Sequence, residues 1–265
     1  MPIVDFHAHI FPGAIAEKAA ASIGRFYQLP VMGDGRADTL LQWGDEAGVD
    51  RFVVHSVATL PGHVRSINDF IASKVREHPG RFVGFAALHP DLPDPAAEVR
   101  RAIDLGLSGV KLHPDIQRFA LNGPKSLKMF ECFAGTLPAL VHAGDRRYAN
   151  SRPAQVAEVL DRFPPLTMIG AHLGGWSEWG DACAILAGRP NFYVDCSSSL
   201  YALPPGEAAR IVRAYGADRV LFGSDYPMWP LQGELDRLRT LNLTADELER
   251  ILYKNAEQLL GLEMR

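Results

Sequence analysis

A closed α/β barrel of eight strand–helix units, the (β/α)8 TIM barrel, is the fold class this sequence predicts, and three observations predict it. Short β-branched or aromatic runs alternate with longer amphipathic segments, the pattern of βα units around a parallel sheet. Eight such runs can be counted. The turn after the first run carries histidines, where a doubly wound open sheet, the main rival, would place a glycine-rich phosphate turn.

The strands are expected at residues 3–10, 51–57, 82–89, 109–113, 139–142, 167–172, 192–196 and 220–225. Helices are expected among the intervening stretches at 64–77, 95–105, 153–163 and 205–215, opened by proline or polar residues and often closed near glycine or proline. Each connection is long enough for a parallel crossover. The glycine-containing stretch 23–35 reads as irregular and falls where a loop over the barrel mouth would sit. Residues 244–260 read as a closing helix, and no internal repeat, low-complexity tract or linker interrupts the chain.

The 265 residues suit one domain spanning 1–265, since barrels of this class run to about 250 residues. A hydrophobic content of 47% supplies a sizeable core, and a net charge of -4 argues against nucleic-acid binding. No charged leader precedes an apolar run and no stretch reaches the roughly 18 apolar residues that span a bilayer, so a soluble cytoplasmic protein without membrane partners is expected. Cys132, Cys183 and Cys196 are odd in number and lack CxxC spacing, which argues against a disulfide framework and a thiolate metal site.

Chemistry concentrates at the strand ends. On a regular strand Asp5, His7 and His9 project to one face, and two neutral imidazoles two residues apart can share one metal ion. His142, His172 and Asp225 end the fifth, sixth and eighth expected strands. Polar groups gathered inside an apolar barrel are costly unless paired or bound to an ion, so a purely structural role for all five of His7, His9, His142, His172 and Asp225 is disfavoured.

The segments DFHAHIFP, GVKLHP, VHAGD, GAHLGG, RVLFGSDYP and LYKNAEQLLG, spread over nearly the whole chain, resemble the metal-dependent amidohydrolase superfamily, in particular its aminocarboxymuconate-semialdehyde decarboxylase-like branch. The resemblance implies that His7, His9, His142 and Asp225 ligate a divalent metal, with zinc first and manganese or iron as alternatives. It makes His172 a catalytic base or electrostatic partner. Lys111 takes the place of a bridging carboxylated lysine or glutamate in binuclear members; its alternative role is to bind a substrate carboxylate, and one metal is favoured.

Other residues are weighed by position. His55, His89 and His113 lie at strand ends and read as hydrogen-bonded structural histidines, His63 and His78 as surface residues. Arg146 or Arg147, in the polar loop after the fifth strand, could grip an anionic substrate. Trp176, Tyr201 and Trp229 could wall the pocket, with Trp176 the expected substrate contact. Cys196 reads as a small pocket-floor residue, and Asp5 as a support for the paired histidines.

The leading expectation is hydrolysis of a small ester, lactone or amide. Metal binding lowers the pKa of water from about 15.7 to about 7, Asp225 takes the proton, His172 steadies the oxyanion, and hydroxide attacks a carbonyl carbon. The second is non-oxidative decarboxylation of a small aromatic or muconate-like acid, which needs the same ligands. A non-catalytic scaffold is the third, disfavoured by the full ligand set. The partner is a small molecule, carboxylated on the second expectation; a homo-oligomer and a monomer are both compatible with the sequence.

Overall fold

A computed structural model of the chain describes residues 1–263; the last two of the expected 1–265 lie outside the described residues. Eight strands run parallel in sequential order: β1 (Val4–His9), β2 (Arg51–His55), β3 (Phe82–Ala87), β4 (Gly109–Leu112), β5 (Ala139–Val141), β6 (Met168–Gly170), β7 (Phe192–Asp195) and β8 (Val220–Leu221). The ring closes by backbone hydrogen bonds between β1 and the stretch that follows β8. Phe6 N–H donates to Phe222 O (2.8 Å), Asp225 N–H to His7 O (2.8 Å) and His9 N–H to Tyr226 O (2.7 Å). A sheet closed on itself has no open edge, so the rival open sheet is excluded.

The helices are α1 (Ala16–Tyr27), α2 (Ala37–Ala47), α3 (Val64–Glu77), α4 (Pro95–Asp104), α5 (Pro114–Gln117), α6 (Pro124–Glu131), α7 (Pro153–Arg162), α8 (Trp179–Leu186), α9 (Pro205–Tyr215), α10 (Leu231–Arg239), α11 (Ala245–Glu249) and α12 (Asn255–Leu260). Five of them carry proline in their first turn, where the missing N–H has no intrahelical partner to lose. None is long and apolar enough to cross a membrane.

Two expected elements differ. The stretch 23–35 is not irregular from its start, because α1 runs on to Tyr27. Gly24 does not break that helix; it permits close packing, since a Cβ there would stand 2.6 Å from Val31 Cγ2. The closing helix expected over 244–260 is interrupted by a π-helical turn at Arg250–Lys254 between α11 and α12.

Apolar residues divide between two layers. Val4, Phe6, Val53, Phe85, Leu140, Ile169 and Leu221 form the inner cluster, onto which Tyr253, Leu259 and Leu260 pack from the C-terminal segment. The larger outer cluster lies between sheet and helices. Asn255 ties the end of the chain to the barrel, its Nδ2 donating to Ala217 O and Val220 O, both at 2.7 Å, from a fully packed position. Asn255→Ala strands two carbonyls and is expected to cost about 2–3 kcal/mol, read as a lower urea midpoint at unchanged slope.

Candidate metal centre at the barrel mouth

β1 does not alternate regularly. Its pairing with β2 slips by one residue between Asp5 and Ala8, so two residue steps on β2 oppose three on β1. Val4 and Phe6 therefore enter the inner cluster, and beyond the bulge His7 and His9 also face the mouth. Bulges re-aim side chains at barrel rims. The expectation that Asp5 shares the face of the two histidines is corrected accordingly: Asp5 accepts from the Ser224 hydroxyl (2.5 Å), Ser224 N–H (2.9 Å) and His7 N–H (3.0 Å), tying β1 to the loop after β8.

His7 Nε2 lies 3.3 Å from His9 Nε2 and 3.3 Å from Asp225 Oδ1, and His9 Nε2 lies 3.6 Å from the same oxygen. Donors about 2.1 Å from one ion and tetrahedrally disposed stand roughly 3.4 Å apart, so these three atoms fit a shared cation. His55 adds a fourth ring, centred 4.9 Å from His7 and 4.4 Å from His9. Contrary to its expected role as a hydrogen-bonded structural residue, both its ring nitrogens are buried without a partner. An unpaired imidazole is costly in an apolar wall, and its lone pair suits a cation. His89 and His113 do have partners, in Asp91 N–H and in Tyr27 and Ile116 N–H.

His172 and Asp225 sit one turn beyond their short strands, at φ 59° and 57°. Left-handed backbone at non-glycine residues costs of order 1–2 kcal/mol and clusters where side chains must be aimed. His172 Nδ1 donates to Ser197 O (3.0 Å), leaving Nε2 free, and its ring stacks 5.0 Å from His7.

His142 stands on the far side of His172, ring centres 4.9 Å apart. It stacks 3.9 Å from His113 and takes contacts from the Tyr27 hydroxyl at 3.2 and 3.5 Å. His113, Asp115 and His142 thus form a second buried group of donors beside the first.

Lys111, 1% exposed, reaches His7 Nε2 at 3.0 Å. Burial drives its ammonium well below the usual lysine range, and burial likewise raises the Asp225 carboxyl. His7, His9, His55, His113 and His142 all fall well below 6.5, from burial first and neighbouring cationic groups second. His172 is pushed down to about 4, also by burial. Neutral imidazole is the form that binds metals.

At the rim, Arg146 and Arg147 part company. Arg146 turns outward to Ser177 O, in a surface depression shared with Glu178 and Glu207. Arg147 forks onto Asp145 and lies 5.1–5.6 Å over the rings of Phe26, Tyr27, Tyr148 and Trp176. Trp176 in turn meets Tyr27 at 5.0 Å. Gly144, at φ 67°, lets the loops after β5 and β6 touch, since a Cβ there would stand 2.6 Å from Gly175 Cα.

Sequence reasoning missed Asp195 altogether. Its Oδ2 holds His7 Nδ1 at 2.9 Å, which leaves Nε2 to face the mouth, and its Oδ1 accepts from Ser197 Oγ (2.5 Å) and His172 N–H (3.2 Å). The signal was alternation on β7, which sends Asp195 inward and Cys196 outward. Cys196 is accordingly not a pocket-floor residue; it packs in the outer cluster, where burial raises its thiol.

A closed β/α barrel with a buried histidine–aspartate cluster at the ends of its strands defines the class. The chain belongs to the amidohydrolase family, whose model matches residues 4–262, and so is an enzyme of that superfamily. It is 27% identical to the decarboxylase orsB of Emericella nidulans, over 100% of this chain and 98% of that protein. It is 24% identical to a gamma-resorcylate decarboxylase of Polaromonas, over 75% and 76% of the two chains. Among solved structures, a dihydroxybenzoic acid decarboxylase from Polaromonas, with bound manganese and 2-nitroresorcinol, superposes with a TM-score of 0.71 at 19% identity, covering 100% of this chain and 98% of that one. These decarboxylase relatives overturn the expectation of hydrolysis. The sequence could not separate the two reactions because both draw on the same donors.

Proposed function

We propose that the chain is a metal-dependent, non-oxidative decarboxylase of a small aromatic or muconate-like carboxylic acid. The observation that carries the reading is the triangle of His7 Nε2, His9 Nε2 and Asp225 Oδ1, with sides of 3.3, 3.3 and 3.6 Å, in a chain whose curated relatives are decarboxylases. His7, His9 and Asp225 would hold one divalent ion; His142, expected beside them as a ligand, instead stands with His113 and Asp115 in the second group. Zinc suits so nitrogen-rich a set, and manganese, bound in the Polaromonas structure, is accommodated by the same donors. When bound, the ion would supply Lewis acidity at a substrate oxygen.

Around it, the chain's own residues manage charge and proton. His172, neutral at pH 7 with Nε2 free, takes the proton of a substrate hydroxyl and returns it to the carbon that bears the carboxylate. The bond from that carbon to the carboxylate then breaks, carbon dioxide leaves, and the electron pair returns to the ring. The product leaves as its phenolate and recovers one proton from solvent, so one proton is consumed for each carbon dioxide released and no oxidant is needed. Lys111 meets the substrate carboxylate after releasing His7, and Arg147 and Trp176 line the approach; Arg146, drawn to Ser177, is left out.

Hydroxybenzoates and carboxymuconates incubated with metal-loaded enzyme in deuterium oxide are expected to release carbon dioxide and gain one deuterium at the vacated carbon. In oxygen-18 water the organic product should stay unlabelled. A panel in which no acid loses carbon dioxide would sink the reading. Exhaustive chelation is expected to abolish turnover, and zinc or manganese to restore it, followed by metal analysis alongside activity.

A further inference from the structure

The two carboxylate oxygens of Asp225 face different neighbours. Oδ1 is turned to His7 and His9, whereas Oδ2 accepts from the Ser198 hydroxyl at 2.5 Å. Ser198 Oγ in turn accepts from Trp229 Nε1 at 2.8 Å. An indole N–H can only donate, and a hydroxyl has a single proton. The direction of the chain is thereby forced: Trp229 gives to Ser198, and Ser198 must spend its proton on Asp225. All three are buried, at 8%, 3% and 6% exposure, so no bulk water competes for these bonds. Trp229 is itself fixed, its ring 4.8 Å from Tyr201 and capped at 5.1 Å by the Arg237 guanidinium, which pairs with Glu234.

We propose that Ser198 and Trp229 are positioning residues for the candidate metal centre, a one-way hydrogen-bond relay that occupies Asp225 Oδ2 and presents Oδ1 alone to a divalent cation. The inference rests on the reading that Asp225 holds the ion. With the relay intact, the carboxylate cannot turn to offer both oxygens, and its rotamer is set before the ion arrives. Ser198→Ala frees Oδ2 outright. Trp229→Phe keeps the ring against Tyr201 and Arg237 but removes the N–H that commits the Ser198 proton.

The test is titration of the metal-free protein with cobalt(II), followed by its visible absorption, with melting of each metal-free variant as a check on packing. Ser198→Ala is expected to weaken cobalt binding about 10–100-fold, the range for residues that orient ligands, and to alter the absorption band. Trp229→Phe is expected to weaken it several-fold. The double variant should be no worse than Ser198→Ala, because a chain already cut cannot be cut again. Should wild type bind no cobalt, the metal reading itself falls and the relay with it. Should wild type bind while Ser198→Ala binds equally well, or should the two losses multiply, the relay alone is overturned. Trp229→Phe keeps the question answerable if Ser198→Ala does not fold.

Discussion

Asp225→Asn is expected to lower kcat/KM by about 10³-fold or more and to reduce bound metal at the same time. Asparagine tolerates the left-handed backbone at φ 57° and keeps the size of the side chain, so the substitution tests charge and not fold. It removes the only carboxylate in the triangle with His7 and His9. A neutral amide is a poor ligand for a divalent ion, so occupancy and turnover should fall together, measured by metal analysis and steady-state kinetics. An Asp225→Asn enzyme with full activity and full metal would refute the assigned triangle.

His172→Asn separates the proton from the metal. The same left-handed position, φ 59°, again accepts asparagine, while the basic Nε2 is lost. Turnover is expected to drop 10²–10⁴-fold, the usual contribution of a placed acid–base group, with metal content near that of wild type. Loss of metal in parallel would move His172 from proton transfer into the ligand set.

Much of the fold was legible because each inner strand declares itself by β-branched or aromatic residues, and the same sequence segments that end in His or Asp end at the mouth. His142, His172 and Asp225, expected as the last residues of their strands, follow them by one to four residues because β5, β6 and β8 stop at Val141, Gly170 and Leu221. Three features were hidden for physical reasons. The bulge in β1 breaks the parity from which Asp5 was assigned, and nothing local in Val4–His9 announces an extra residue. Asp195 was overlooked because a single aspartate at a strand end has no spacing partner in sequence; its partners, His7 and His172, come from other strands. The grouping of His113 with His142 under the Tyr27 hydroxyl was the third, because the insertion of Tyr27 from α1 is encoded by no periodicity.

The seam of the barrel has a consequence of its own. β8 is only two residues long, and much of the joining of last strand to first falls to the stretch beyond it, where Asp225 N–H bonds His7 O. A cation clasped by the side chains of those same two residues would rivet the barrel's first strand to the loop that follows its last. Heat resistance and occupancy then become one linked quantity: an ion present at 1,000 times its dissociation constant adds about 4 kcal/mol to the folded state, and stripping it should loosen the hoop at this stitch first.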